Sequence, residues 1–150
     1  MRTRKNKPAT AAGLLFLFAL LPLGTAQGLA CAEQLAPFTS DGCSLFPDGQ
    51  LPSRHEWLHC CTAHDQAYWQ GGTYQQRLDA DQSLHDCVDA AGFPEIAEIM
   101  YSGVRIGGSP FSVAPYRWGY GWDSLRGYRP LSADEQAKAN ALLKDSDTVH

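Results

Sequence analysis

The chain has 150 residues, room for one domain, with 12 Lys and Arg against 16 Asp and Glu, and 5 cysteines. Its first thirty residues hold four of the basic residues (Arg2, Arg4, Lys5, Lys7) and no acidic one, so the remainder carries 8 basic and 16 acidic residues, a net of −8. That balance argues against nucleic acid as a partner, because phosphates are held by Lys and Arg, and it gives no attraction to an anionic membrane. An acidic exported domain can, however, hold calcium, which takes carboxylate and carbonyl oxygens.

In chain order, "MRTRKNKP" precedes the apolar run "AAGLLFLFALLPL", and small residues follow at Ala26 and Ala30. Basic start, short apolar middle and small-residue exit describe a secretory signal peptide. The run is 13 residues, too short for a bilayer that needs ~20. Residues 1–30 are therefore read as a signal peptide and residues 31–150 as the exported domain, secreted or held in the periplasm or cell envelope. A retained membrane anchor is the competing reading of the same run. "GLAC" places Cys31 directly after a small residue, which opens a further one, an envelope lipoprotein anchored through Cys31. Export permits disulfides, and Cys43, Cys60, Cys61 and Cys87 are read as two bridges.

"SRHEWLHCCTAHDQAYW" opens with Ser53 and Glu56 in capping-box spacing, a helix start, and Gly71-Gly72 ends it. Thr73 and Gln76 repeat the box at the head of "TYQQRLDADQSLHDCVDAAG", with Gly92 and Pro94 as its close. Two helices joined by so short a turn are expected to lie antiparallel. At 100° per residue the first gathers Trp57, Cys60, Cys61, His64 and Tyr68 on one face; the second gathers Leu78, Leu84, Cys87, Val88 and Ala91, with Asp81 inside that arc. Each helix thus carries one ionisable residue, His64 or Asp81, on a face otherwise apolar or sulfur. Burying either alone is costly, and pairing them solves both problems, whether the pair is structural or chemical.

Neighbouring helix residues diverge by 100°, so Cys60 and Cys61 are not expected to bond each other. Cys60 to Cys87 would clamp the two helices and Cys61 to Cys43 would tie in the preceding loop, each closure worth ~3 kcal/mol. Zinc is the rival account of cysteine beside histidine, but it wants C-x-x-C and H-x-x-x-H spacing, which two adjacent cysteines serve badly. Further on, "YRWGYGW" (residues 116–122) alternates as a strand would, with Tyr116, Trp118, Tyr120 and Trp122 on one face. That face is either a patch for lipid head groups or an aromatic ribbon covering the helix pair. "SADEQAKANALLKD" opens with a third capping box, Ser132 and Glu135, and reads as a peripheral amphipathic helix.

"CCTAHDQAY" resembles the C-C-x-x-H-D-x-C-Y signature of the secreted phospholipase A2 family, and "SDGCSLFPD" is similar to the S/T-D-x-C-x-x-x-P-D segment of its bacterial and fungal members. Asp81 also precedes Cys87 by six residues, the family's spacing from its supporting aspartate to the cysteine bonded to the first of the adjacent pair. The resemblance spans residues 39–88. It implies a mainly α, small disulfide-stapled domain on two antiparallel helices, a phospholipase A2-like domain over residues 31–150, with a preceding metal loop and an irregular aromatic C-terminal region. It implies calcium-dependent hydrolysis of a phospholipid acyl ester, with a phospholipid membrane surface as substrate. His64 would be the general base, Asp81 its support and Tyr68 a hydrogen-bond donor to that aspartate. Asp65 would be a calcium carboxylate, Asp41 a second side-chain ligand and Gly42 a carbonyl ligand. Phe38, Leu45 and Phe46 would touch the acyl chain. Two departures stand out: Ser44, Phe46 and Pro47 follow Cys43 where animal members are glycine-rich, and Ala67 stands where many carry a further cysteine. The alternative is a non-catalytic binding protein, secreted or envelope-anchored, on the same scaffold. Nothing in the sequence assigns an oligomeric state.

Overall fold

A computed structural model of the protein describes residues 33–50 and 55–147. The signal segment, Cys31 with its lipoprotein reading, Ser53 and His150 lie outside the described residues. Four helices carry the fold: α1 (Leu58–Gln70), α2 (Tyr74–Ala90), α3 (Pro94–Gly107) and α4 (Ala133–Asp147). Among the described residues there is no strand, only an isolated bridge between Leu35 and Trp122. All of them belong to one unit, Ala32–His150.

Helix α1 begins at Leu58, later than the Ser53 box implies. Trp57 takes the cap position without a side-chain cap bond, and the Glu56 carboxylate instead accepts the Gln50 N–H at 2.9 Å. The Trp57 indole donates to the Pro47 carbonyl at 2.7 Å, so the entry to α1 is set by tertiary contacts. At α2 the expected box is complete: Thr73 accepts the Gln76 N–H at 3.2 Å and Gln76 accepts the Thr73 N–H at 2.8 Å. The third box is complete too, with Glu135 accepting the Ser132 N–H at 2.8 Å and Ser132 accepting the Glu135 N–H at 3.3 Å. Helix α3 has no counterpart among the expected elements. Pro94 does follow the end of α2, but it sits in the first turn of α3, where its missing N–H leaves no helix bond unmade.

Helix α2 packs against both α1 and α3. Two disulfides staple this region: Cys60–Cys87 joins α1 to α2, and Cys43–Cys61 joins the preceding loop to α1. Around them lies one apolar cluster, with Trp57, Leu84, Val88, Ala97 and Met100 buried. Of the arc expected on α2, Ala91 proves exposed, while Arg77, polar and unassigned by sequence, is buried. A second cluster forms at the other end of α1, where Trp69 meets Leu35, Trp122 and Ala139 of α4.

Residues 116–122 form turns rather than a strand. The reason lies in the end of α1, whose last four carbonyls have no partner within the helix. The Gly71 N–H takes Ala67 O, the Gly119 N–H takes Tyr68 O at 2.6 Å, the Gly121 N–H takes Trp69 O at 3.0 Å, and the Trp122 indole takes Gln70 O at 2.8 Å. The Trp118 indole adds a bond to Gly72 O at 2.9 Å. The segment is therefore the C-terminal cap of α1. Its approach requires a glycine at 121: a Cβ there would lie 2.3 Å from Cδ1 of the fully buried Trp69 and 2.7 Å from Leu35. Gly121→Ala is expected to lower unfolding free energy by about 1–3 kcal/mol in denaturant titrations. Gly103→Ala, where a Cβ meets nothing within 4 Å, should leave stability unchanged or slightly raised. Equal stability of the two variants would contradict this account of the cap.

Candidate active site

The face of α1 carrying Cys60, Cys61, His64 and Tyr68 is buried throughout. His64 Nε2 lies 2.9 Å from Asp81 Oδ1, and Asp81 has no exposure to water. The Tyr68 hydroxyl, one turn after His64, donates to the same oxygen at 2.7 Å, with its ring centroid 4.1 Å from the imidazole. The structure thus brings His64, Asp81 and Tyr68 together, about a turn from the Cys60–Cys87 staple.

Two residues without a place in the sequence reading complete the surroundings of Asp81. Arg105, in the last turn of α3, donates from Nη1 to Asp81 Oδ2 at 2.5 Å. Arg77 places Nε 3.8 Å from Oδ2 and donates it to the Tyr68 hydroxyl at 3.0 Å. Its other nitrogens bond Tyr128 Oη and the Val104 and Arg105 carbonyls. Arg77 precedes Asp81 by four residues and so shares its helix face, a signal the sequence did contain. Arg105 carries no such signal, since it comes from the unexpected helix.

Burial alone would push the Asp81 carboxyl up, but the hydrogen bonds from His64, Tyr68 and Arg105 outweigh it and hold it below the ordinary carboxylate range. Asp81 is therefore ionised at neutral pH. An ionised acceptor beside Nε2 favours a ring proton there, the tautomer in which Nδ1 is the nitrogen with a free lone pair. Tyr68 is displaced upward by burial and by the Asp81 charge, so it stays a neutral donor.

Asp65, the next residue after His64, is buried by a different element. The loop before α1 folds over it, and the Ser40 hydroxyl donates to Oδ2 at 2.6 Å. Gly42 donates its N–H to that hydroxyl at 3.1 Å and turns the chain at φ 81°. Asp41 holds the Ser44 hydroxyl at 2.7 Å. Asp65 is pushed up to about 7, first by burial and further by the Asp41 charge, against the opposing bond from Ser40. Asp65, Asp41 and Gly42 are thus gathered in one place, and among the described residues no Lys or Arg pairs with either carboxylate. Carboxylate and carbonyl oxygens are the donor types that calcium takes. Of the three apolar residues expected near an acyl chain, Phe38 and Phe46 pack partly buried against Trp69 and Trp57, whereas Leu45 is fully exposed.

One other grouping has metal-ligand chemistry: His59 Nε2 sits 3.4 Å and 3.5 Å from the sulfurs of Cys60 and Cys87. Both sulfurs are spent in a disulfide, so neither is a thiolate that could bind zinc. Comparison of the chain with protein-family models, with curated proteins and with solved structures found no match.

The shift of Asp65 has a signed consequence. Its carboxyl sits near 7 in the folded chain against an ordinary 3.8, so between those values the native state binds the extra proton and unfolding free energy falls as pH rises. In chelator, wild type is expected to lose a few kcal/mol relative to Asp65→Asn between about pH 4 and pH 8, read from denaturant midpoints. Parallel pH curves for the two proteins would show that Asp65 titrates normally.

Proposed function

We propose that the protein is a calcium-dependent hydrolase of phospholipid acyl esters, acting through a water activated by His64 and Asp81, and that it works outside the cytoplasm. The observation that carries this reading is the buried 2.9 Å hydrogen bond from His64 Nε2 to Asp81, which leaves Nδ1 as a base. A water bonded to Nδ1 loses its proton to that nitrogen as its oxygen attacks the ester carbonyl. Asp81 stabilises the imidazolium that forms. When the tetrahedral carbon collapses, Nδ1 returns the proton to the leaving alkoxide, releasing fatty acid and a lysophospholipid. Asp65 and Asp41, with the Gly42 carbonyl, would hold the calcium, and its charge would offset the negative charge developing on the ester oxygen.

The antiparallel pairing of α1 and α2 belongs to the same proposal, supported by the short turn between them, the Cys60–Cys87 disulfide and the His64–Asp81 bond. Export is supported by the two disulfides, which persist in oxidising compartments. Among the described residues no helix is long and apolar enough to cross a membrane.

A second reading, a non-catalytic binding protein on this scaffold, draws on Ser40, which already satisfies Asp65 from within the chain. Fatty-acid release from phosphatidylcholine vesicles separates the two. Wild type should release fatty acid with calcium and stop in excess chelator. His64→Gln should fall by at least ~100-fold, the scale of a lost general base. Release that ignores the chelator or survives His64→Gln sinks the mechanism. Calcium binding by wild type without any release would favour the binding protein.

A further inference from the structure

Asp81 has two carboxylate oxygens with different duties. Oδ1 receives His64 Nε2 and the Tyr68 hydroxyl, at 2.9 Å and 2.7 Å. Oδ2 receives Arg105 at 2.5 Å and stands 3.8 Å from Arg77 Nε. The two arginines are not equivalent. Arg77 is 2 % exposed, and its guanidinium bonds the Tyr68 and Tyr128 hydroxyls and two carbonyls of α3. Those bonds tie α2 to α1, to α3 and to the segment carrying Tyr128, and none of them reaches Asp81. Arg105 has a side chain 20 % exposed, stands over the Tyr74 ring and donates to the Tyr74 hydroxyl at 3.2 Å. Among the described residues it alone donates to Oδ2.

A carboxylate turns about one soft torsion, and its two oxygens are chemically alike. With Oδ2 free, the nearest unscreened cation would be Arg77, and a turn toward Arg77 Nε would draw Oδ1 away from the imidazole. We propose that Arg105 is a positioning residue: by engaging Asp81 Oδ2 from the last turn of α3 it fixes the carboxylate plane, so that Oδ1 stays aimed at His64 Nε2. Through this contact α3 takes part in orienting the base. The proposal rests on the hydrolase reading for its kinetic consequence, but the orientation itself can be measured without turnover.

The test uses Arg105→Gln and Arg105→Lys. In 15N-histidine-labelled protein the Nε2-bound proton of His64 should give a downfield signal, identified by its loss in His64→Gln. In Arg105→Gln that signal should shift upfield or vanish through exchange with water. Release from phosphatidylcholine vesicles should show kcat reduced about tenfold to a hundredfold with KM within about twofold, as expected when a base is misaligned. Arg105→Lys keeps a cation but not the fork, so both effects should be smaller in the same direction; it takes over the test if the glutamine variant loses its helical circular dichroism. An unchanged His64 proton signal overturns the proposal. So does a raised KM at constant kcat, which would make Arg105 a substrate-binding cation. Wild type without fatty-acid release would remove the hydrolase reading, and the proton signal would then decide the role of Arg105 by itself.

Discussion

The constraint on which this molecule depends is a carboxylate with no access to water. A buried, unpaired charge costs several kcal/mol, so a fold that places Asp81 in its interior must surround it with donors. Those donors come from two helices, His64 and Tyr68 from α1 and Arg105 from α3, while the charge of Arg77 stands nearby on α2 itself. Asp81 is therefore a joint as well as a chemical group. Slackening any of these helices would leave the charge under-compensated, and the penalty acts to hold the site in one geometry. The Cys60–Cys87 staple works in the same direction, by linking the two helices that share the imidazole and the carboxylate.

A second joint lies at the far end of α1. A helix terminus exposes four carbonyls that must find donors, and here residues 118–122 supply three of the four, two from glycine N–H groups and one from an indole. The clusters around Trp57 and Trp69 are joined by α1, which contributes to both and whose end this cap fixes. The position of Tyr68 follows from it. Its carbonyl is held by Gly119, its ring packs edge-on against Trp118 at 5.1 Å, and its hydroxyl reaches Asp81. The aromatic segment is remote in sequence from the site and adjoins both parts of it: Trp118 packs on Tyr68, and the Tyr120 hydroxyl donates to the Thr39 carbonyl at the head of the loop that covers Asp65.

Periodicity made part of this visible. The 100° rule put His64 and Tyr68 on the buried face of α1 and Asp81 on that of α2, because burial of a face is a local property of a helix. The capping boxes at Thr73 and Ser132 were legible for the same reason, each being a bond between residues three apart. Of the non-local features, the two disulfides and the His64–Asp81 pair were legible, because thiols and buried charges must find partners, and the rest were not. Arg105 reaches Asp81 across 24 residues, and only the packing of α3 on α2 determines that contact. Pro94 marks a boundary, and as punctuation it ends one helix and begins another equally well. Alternation over residues 116–122 has the period of a strand, but the segment's hydrogen bonds go to a helix end, and no pattern of side chains records where backbone groups will find partners.

Asp65 and Asp81 show why burial alone does not decide what a carboxylate does. Both are nearly inaccessible to water, at 5 % and 0 % exposure, and desolvation pushes both upward. Their partners then separate them. Asp81 gains two neutral or weakly acidic donors and a guanidinium, and is driven below the ordinary range. Asp65 gains a hydroxyl on one side and the Asp41 charge on the other, and is left near 7. An ionised, fully engaged carboxylate is a poor proton acceptor, which fits Asp81 for orienting an imidazole instead of competing with it. A carboxylate still able to hold a proton at neutral pH is one whose charge lacks compensation, and a proton and a divalent cation relieve that lack in the same place. On the proposed function, calcium held by Asp65 would displace that proton, so its binding would strengthen as pH rises through neutrality.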